Sequence, residues 1–386
     1  MTPPFDAAKL DRLLDGAAVD LVLACSPHNV QYLLGGYRFF LFANGTVMGV
    51  SSYVPLVGYT RGRPDSAFYV GNALEHGHQE VEPLWVPEVE NASWSAVEAG
   101  ELAARRIRRL GLEHGRIAIE ISFLPQDAYA ALVRELPGVE LVDAFGILDE
   151  LRAVKRPDEL ELLRAAAEGI VGSMQAVFAG ARPGITKAEL AARLRLEETR
   201  RGLAFEFCQP SVGPSFNRTP TPGVRWEPGQ VCCLDSGGSL HGYVGDLARM
   251  AFMGPVDPGA AELLEEVEAV QQAARAAIAA GRRGGDVLEA ARARQRECPH
   301  AAELSFVAHG MGLISHEAPR LTSSGVVRYH GDHEHRPLEA GMVLSVETDL
   351  RSPRHGFVKL EDTVVVTEGG CVGFGDGARS WTVAGG

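Results

Sequence analysis

Residues 231–252 read VCCLDSGGSLHGYVGDLARMAF, and this stretch decides the fold of the second half of the chain. The apolar run 231–234 predicts a strand, the paired glycines 237–238 predict a reversal, and 243–252 predicts the return strand. Together they predict a β-hairpin. A helix is expected next, over about 258–280, because its apolar residues recur at helical spacing.

Four carboxylates lie where ordinary buried strands carry apolar side chains. Burying a carboxylate without a partner costs several kcal/mol, so a cation must neutralise these charges. Divalent metal ions do so directly. The four residues are Asp235 and Asp246 on the hairpin, Glu347 on a strand predicted for 342–348, and Glu361 on a strand predicted for 357–367.

His309 offers a neutral nitrogen ligand at the end of another predicted strand, and the glycines Gly310 and Gly312 that follow it permit close backbone approach. Four carboxylates balance two divalent ions, and carboxylate oxygens can bridge metals about 3.5–4 Å apart. Such a pair activates water and polarises a carbonyl, which predicts hydrolysis. An oxygen-rich site with one histidine suits Mn, Co, Zn or Fe, so the metal stays open.

At these residues the chain resembles the metallopeptidase family that contains methionine aminopeptidase, aminopeptidase P, prolidase and the metal-free creatinase. The resemblance also covers 155–159 and, more weakly, 27–36, so it spans nearly the whole chain. It implies an α+β protein with a creatinase-like N-terminal α/β domain at 1–150, a C-terminal pita-bread catalytic domain at 151–386, and a homodimer. The main matching segments are LDSGG (234–238), GDLAR (245–249), HGMGLISHE (309–317), GMVLSVE (341–347) and KLEDT (359–363).

The resemblance implies a role for each ligand. Asp235 would hold one metal ion, His309 and Glu347 would hold the other, and Asp246 and Glu361 would bridge both.

Further roles are implied around these ligands. His316 would contact the substrate and stabilise the developing oxyanion. Either Glu347 or Glu317 would handle protons, although Glu317 equally suits a supporting position beside the metal ligands or a loop.

The chain departs from the family pattern at positions that handle the substrate. The loop SVGPSFNRTPTP (211–222) lacks the histidine that family peptidases carry there, and Asn217 with Arg218 occupies its place. These two residues suit either a substrate carboxylate or a polar turn. Lys359 replaces the usual arginine and cannot make a bidentate fork. A further loop, 329–335, carries three histidines; it suits substrate-binding groups at the mouth of the pocket, but a solvated polar segment is the preferred expectation.

Three hypotheses for function remain. The leading one is an enzyme that cleaves an amide-type C–N bond, most simply an Xaa-Pro dipeptidase or aminopeptidase acting on a short peptide. The second keeps the metals but changes the substrate to a small non-peptide compound, as in creatinase-like or cyclic-amide hydrolases or a lyase. The third is a catalytically silent binding module, which would have no need of four carboxylates on apolar strands.

Composition limits partners and location. With 37 Lys plus Arg against 50 Asp plus Glu, the net charge is −13, which argues against nucleic acid or an anionic membrane as a partner. Six scattered cysteines without a CxxC pair indicate reduced thiols, and no segment predicts a membrane span or signal peptide, so a cytoplasmic location is expected.

In the first half, strands are expected at 19–24, 39–42, 67–70 and 117–121, and a helix at 98–110.

Overall fold

The computed structural model describes residues 2–47, 49–323 and 331–385. These residues form two compact units, Met1–Leu151 and Arg152–Gly386. None of the helices in the described ranges is long and apolar enough to cross a membrane. In the histidine-rich loop, Tyr329 and His330 lie outside the described residues. Asp332 and His335 are exposed as expected, whereas His333 is buried and its Nδ1 accepts from the Arg320 backbone amide.

The first unit is built around a mixed sheet with the strand order β4-β3-β2-β1-β5-β6. Strand β1 pairs antiparallel with β2 and parallel with β5, which makes it the centre of the sheet. The elements of this unit are α1 (Ala7–Gly16), β1 (Leu21–Ala24), α2 (Pro27–Leu33), α3 (Phe40–Ala43), β2 (Leu56–Thr60), β3 (Arg63–Gly71), a 3₁₀ turn (Ala73–Glu75), α4 (His76–Val81), β4 (Glu88–Asn91), α5 (Ala96–Arg109), β5 (Arg116–Ile119), α6 (Gln126–Glu135), β6 (Glu140–Asp143) and α7 (Phe145–Leu151).

Helix α5 covers this sheet and begins where its sequence places a cap. The Ser95 side chain accepts from the Glu98 amide, which satisfies one of the free donors of the first turn. Its buried face, with Leu102 and Ile107, packs against the strand residues Leu21 and Phe68 in one apolar core.

The strand expected at 39–42 is wrong, because these residues form the single helical turn α3. Only Leu41 in that turn is buried, and the side-chain amide of Asn44 donates to the Phe40 carbonyl at 2.9 Å. A run of four apolar residues does not distinguish a strand from a buried helical turn, and here a local hydrogen bond favours the helix.

The second unit contains the larger sheet, whose strands follow the order β14-β13-β15-β16-β12-β11-β8, with β17, β18 and β9 paired to β16, β12 and β11. Its elements are α8 (Pro157–Gly180), β7 (Ile185–Thr186), α9 (Lys187–Arg200), β8 (Ala204–Cys208), β9 (Ser211–Val212), β10 (Arg225–Trp226), β11 (Val231–Leu240), β12 (Tyr243–Met253), α10 (Pro258–Ala276), α11 (Gly284–Gln295), β13 (Leu304–Met311), β14 (Ser315–Glu317), a 3₁₀ turn (Asp332–Glu334), β15 (Val343–Ser352), β16 (Gly356–Thr367), β17 (Gly370–Phe374) and β18 (Thr382–Ala384).

Helix α10 supplies the apolar cover for this sheet. Its residues Leu263 and Val267 share one core with Leu344, Val346 and Leu360 of β15 and β16. Since side chains alternate along a strand, packing the even-numbered residues of β15 and β16 on the helix leaves the odd-numbered ones for the opposite face.

The hairpin forms, but its reversal does not lie at Gly237 and Gly238. Strand β11 continues through both glycines, and the chain turns at His241 and Gly242, which both have positive φ. A Cβ at Gly237 would lie 2.4 Å from the Phe207 ring, so this glycine allows close approach of β8 rather than a turn.

Candidate metal centre

The register of three strands brings a histidine and two glutamates to one face of the sheet. Glu347 of β15 lies opposite Glu361 of β16, and Ser345, two residues before Glu347, lies opposite His309 of β13. Because residues two apart on a strand share a face, His309, Glu347 and Glu361 all point to the same side.

The hairpin adds the two aspartates next to Glu361. Ala248 of β12 pairs with Glu361 on one side and with Asp235 of β11 on the other. Asp246 lies opposite Gly237. Each aspartate therefore faces a residue with little or no side chain, which leaves space for carboxylates and what they bind.

Three of the predicted ligands are close enough to share one ion. Asp246, His309 and Glu361 are buried, and each offers a ligand atom within 4.8 Å of the others. Asp246 Oδ2 accepts from Ser315 Oγ at 3.2 Å, but the buried Asp246 Oδ1 has no hydrogen-bond partner among the described residues. An orphaned carboxylate oxygen beside an imidazole and a second carboxylate fits a divalent cation.

The other two predicted ligands, Asp235 and Glu347, are paired with Lys359. Its ammonium lies 2.8 Å from Asp235 Oδ2, 2.5 Å from Glu347 Oε2 and 2.8 Å from Glu361 Oε2. Arg218 also contacts Asp235 Oδ2, at 2.8 Å. Sequence reasoning noted Lys359 as a replaced arginine and missed this position. The available signal was its spacing, two residues before Glu361 and so on the same face of β16.

We call Asp235, Asp246, Glu347 and Glu361 the acidic cluster. Burial, reinforced by the neighbouring Glu361 charge, raises the pKa of Asp246 and of Glu347, and burial also raises the pKa of Asp235 against the effect of Lys359. At Glu361 the effect of burial is outweighed by Lys359 and His309, which hold the pKa of this carboxyl below its usual range. The three carboxylates around Lys359 likewise overcome its burial and raise its pKa. The cluster thus carries more negative charge than Lys359 neutralises.

His316 lies directly beside the ligand histidine. The rings of His309 and His316 are stacked, with centroids 3.8 Å apart, and His316 adopts a positive φ of 67°. Burial and the nearby His309 lower the pKa of His316 to about 4. The imidazole is therefore neutral near pH 7 and able to donate or accept a hydrogen bond at the edge of the cluster.

Glu317, one residue further, is held in a buried ion pair. Its Oε1 lies 2.9 Å from Lys155 Nζ, and its Oε2 lies 3.4 Å from Arg152 Nη2. A Cβ at Gly312 would lie 1.9 Å from Glu317 Oε1, and one at Gly310 would lie 2.2 Å from the Glu317 carbonyl. The two glycines after His309 therefore allow β14 and this carboxylate to pack against β13.

A second buried acid lies behind the hairpin. Glu198 of α9 accepts from Ser236 Oγ at 2.9 Å, next in sequence to Asp235, while its Oε2 has no hydrogen-bond partner among the described residues. Burial raises its pKa to about 7. Sequence reasoning missed Glu198, because a glutamate in a helix is normally a solvated surface residue.

Comparisons with known proteins agree with this architecture. Residues 161–368 match the model of metallopeptidase family M24, and residues 7–154 match the creatinase/prolidase N-terminal domain. The chain is 24% identical to the Xaa-Pro dipeptidase of Pyrococcus furiosus over 376 residues, which covers 94% of this chain and 95% of the relative. The solved Xaa-Pro dipeptidase of Bacillus anthracis shares the fold with a TM-score of 0.79 at 21% identity over 98% of each chain. The X-Pro aminopeptidase of Thermotoga maritima does so with a TM-score of 0.74 at 18% identity over 98% of this chain and 99% of the other.

Proposed function

Because the chain belongs to metallopeptidase family M24, we propose that it is a divalent-metal-dependent hydrolase that cleaves the amide bond before proline in short peptides, as an Xaa-Pro dipeptidase or aminopeptidase does. The observation that carries the proposal is the buried set Asp246, His309 and Glu361, whose ligand atoms lie within 4.8 Å of one another. The relatives named Xaa-Pro dipeptidase support the choice of substrate.

In this proposal Asp246, His309 and Glu361 hold the ion. When bound, the ion supplies Lewis acidity toward the carbonyl of the scissile bond. The chain positions these ligands through the sheet register and through Ser345, whose hydroxyl donates to Glu361 Oε1 at 2.8 Å. That hydrogen bond orients the carboxylate without adding charge.

We assign proton transfer to Glu347 in preference to Glu317. The Glu347 side chain is 21% exposed, whereas that of Glu317 is 1% exposed and paired with Lys155. A carboxylate with a raised pKa at the open edge of the cluster suits a group that takes up and releases a proton. Glu317 instead supports the β13–β14 hairpin, and the neutral His316 donates to the developing oxyanion.

A second candidate is hydrolysis or lysis of a small non-peptide compound by the same site. The observation that favours it is in the loop 211–222, where the family histidine is missing and Arg218 contacts Asp235 at 2.8 Å. Because Arg218 is paired with Asp235, a candidate metal ligand, a substrate would meet different hydrogen-bond donors from those in a family peptidase.

One assay separates the two candidates. The purified protein is supplied in turn with Mn, Co, Zn or Fe and tested on Xaa-Pro dipeptides, Xaa-Pro tripeptides and a panel of small cyclic amides. Turnover of a proline peptide supports the leading proposal, and turnover of cyclic amides alone supports the second. Absence of turnover for every proline peptide with every metal removes the leading proposal.

Other proposed properties are less specific. We propose a cytoplasmic protein, since each of its six cysteines, all within the described ranges, has a free thiol, as in a reducing compartment. The acidic net charge supports a small substrate without nucleic-acid or membrane partners. The family resemblance supports a homodimer, a catalytic role for residues 151–386 and manganese as the first metal to test.

A further inference from the structure

The Lys359 ammonium lies where a cation would sit among three of the proposed ligands. It contacts Asp235, Glu347 and Glu361 at 2.5–2.8 Å, and its side chain is only 4% exposed. In a two-ion site of the family type, Asp235 serves one ion, Glu347 the other, and Glu361 both. Lys359 thus contacts carboxylates that belong to both positions of such a two-ion site.

Charge balance leaves room for one divalent ion. With all four carboxylates ionised, the acidic cluster carries four negative charges, and Lys359 and Arg218, both in contact with Asp235 at 2.8 Å, supply two positive ones. The remaining charge of −2 equals that neutralised by a single divalent cation. Asp246 Oδ1, a buried oxygen with no hydrogen-bond partner among the described residues, belongs to the set Asp246, His309 and Glu361, of which Lys359 contacts only Glu361.

The chemistry of lysine explains why this residue can take such a position. An arginine would present a broad planar guanidinium, whereas the lysine ammonium is a compact point charge on a flexible stem. Three carboxylates can therefore surround it as they would surround a metal ion.

From this geometry we propose that the chain holds one divalent ion, at Asp246, His309 and Glu361, and that the Lys359 ammonium fills the second cation position. The proposal rests on the proposed metal-dependent function and specifies its stoichiometry. It also makes Lys359 the residue that determines how many ions bind.

The experiment measures Mn²⁺ bound per chain in the full-length protein. Metal-free protein is titrated by calorimetry, and the bound metal is then counted after gel filtration. Wild type is expected to bind one ion, and Lys359→Met, which keeps most of the length of the side chain but removes its charge, is expected to bind two. The matched control is Lys187→Met, because Lys187 is equally buried but its ammonium hydrogen-bonds to Asn217. This control is expected to bind one ion.

The possible outcomes are distinct. Two ions in wild type overturn the single-ion proposal but leave the proposed function intact, whereas no ion in wild type overturns the proposed function itself. One ion in both wild type and folded Lys359→Met overturns the role of Lys359, and two ions in Lys187→Met show that the change is not specific to it.

A spectroscopic measurement on wild type covers the case in which Lys359→Met does not fold. The electron paramagnetic resonance spectrum of the manganese-loaded protein is expected to show the six hyperfine lines of an isolated ion. The spectrum of an exchange-coupled pair, as expected for ions about 3.5–4 Å apart, contradicts the proposal.

Discussion

Glu361 and Asp362 are neighbours on β16, yet they lie in opposite electrostatic surroundings. Glu361 points into the acidic cluster, where carboxylates outnumber the cations. Asp362 points to the other face, where its Oδ1 accepts from Arg249 at 2.8 Å and its Oδ2 accepts from Gln271 at 2.6 Å. We call this second group the Asp362 network; its members are Asp362, Arg249, Gln271, Arg275 and Arg379.

The difference separates an acid that binds a ligand from an acid that stabilises the fold. Both carboxylates are buried, so burial alone does not distinguish them. What distinguishes them is charge: the Asp362 network has its cations built in, whereas the acidic cluster lacks positive charge even with Lys359 and Arg218 present. Substitutions on the two faces should therefore have opposite effects on activity and stability.

The largest expected effect is on activity, from Glu361→Gln. Glutamine keeps the size of the side chain but removes a charge that holds the ion, so kcat should fall by about 10³-fold or more. The metal-free protein should still fold, because glutamine fills the same space and its side-chain oxygen can still accept from Ser345. The measurements are steady-state kinetics and thermal unfolding. Glu368→Gln on the exposed turn after β16 is the control, and full activity in Glu361→Gln would contradict the metal mechanism.

Asp362→Asn is expected to lower stability and to leave activity unchanged. This change leaves the fully buried Arg249 without its charged partner, which should lower the free energy of unfolding by about 3–5 kcal/mol. Activity per folded molecule should remain close to that of wild type. Denaturant unfolding gives the stability, and Asp376→Asn is the control because that partly exposed carboxylate should cost less than about 1 kcal/mol. An Asp362→Asn variant that is inactive but as stable as wild type would contradict the claim that the Asp362 face serves stability and the Glu361 face serves activity.

Glu198 provides an intermediate case, because it is buried and, among the described residues, only one of its oxygens has a hydrogen-bond partner. Its pKa rises from 4.5 to about 7 on folding, so the folded state binds more protons than the unfolded state within this window. The resulting stability is complete below pH 4.5 and is lost as the pH rises through 7.

The predicted size of this effect follows from the shift. At 1.36 kcal/mol per pKa unit, the contribution of Glu198 to the free energy of unfolding should fall by roughly 3 kcal/mol between pH 4.5 and 8, seen as the difference between wild type and Glu198→Gln. Glu198→Gln keeps the hydrogen bond to Ser236 and should lose this part of the pH dependence, as measured by urea unfolding at several pH values. Glu197→Gln, one position earlier, should keep the wild-type slope over this range. An unchanged slope in Glu198→Gln would mean that the carboxylate titrates elsewhere.

Both the two-domain fold and the candidate ligands could be predicted from the sequence. Ligand residues interrupt apolar strands at Asp235, Asp246, Glu347 and Glu361, and such interruptions are visible without coordinates. The turn at His241 was missed because a glycine pair indicates a reversal and a close approach equally well, and at Gly237 the close approach to Phe207 decides. Predicting the turn correctly would have required knowing that β8 packs against Gly237.

The position of Lys359 was beyond sequence reasoning for another reason. Its ammonium contacts residues from β11, β15 and β16, so its surroundings depend on the register of three strands and on the reach of a long side chain. A local sequence pattern shows neither the register of the strands nor the reach of the side chain. Asp362 likewise shows no difference from Glu361 until the face of the strand and the arginines behind it are known.

The smallest expected effect concerns Arg218, the cation on the acidic side that is still partly exposed. Its side chain is 38% exposed, in contrast to the buried Arg249 of the Asp362 network. A partly exposed ion pair contributes only about 0.2–1 kcal/mol, so Arg218→Gln should tighten Mn²⁺ binding by roughly two- to fivefold as one competing charge is removed. Calorimetric titration of the metal-free protein measures this change, with Arg354→Gln, another exposed arginine paired with an aspartate, as the control. Weaker binding would show instead that Arg218 orders Asp235 for the ion, which would place this arginine with the built-in cations of the opposite face.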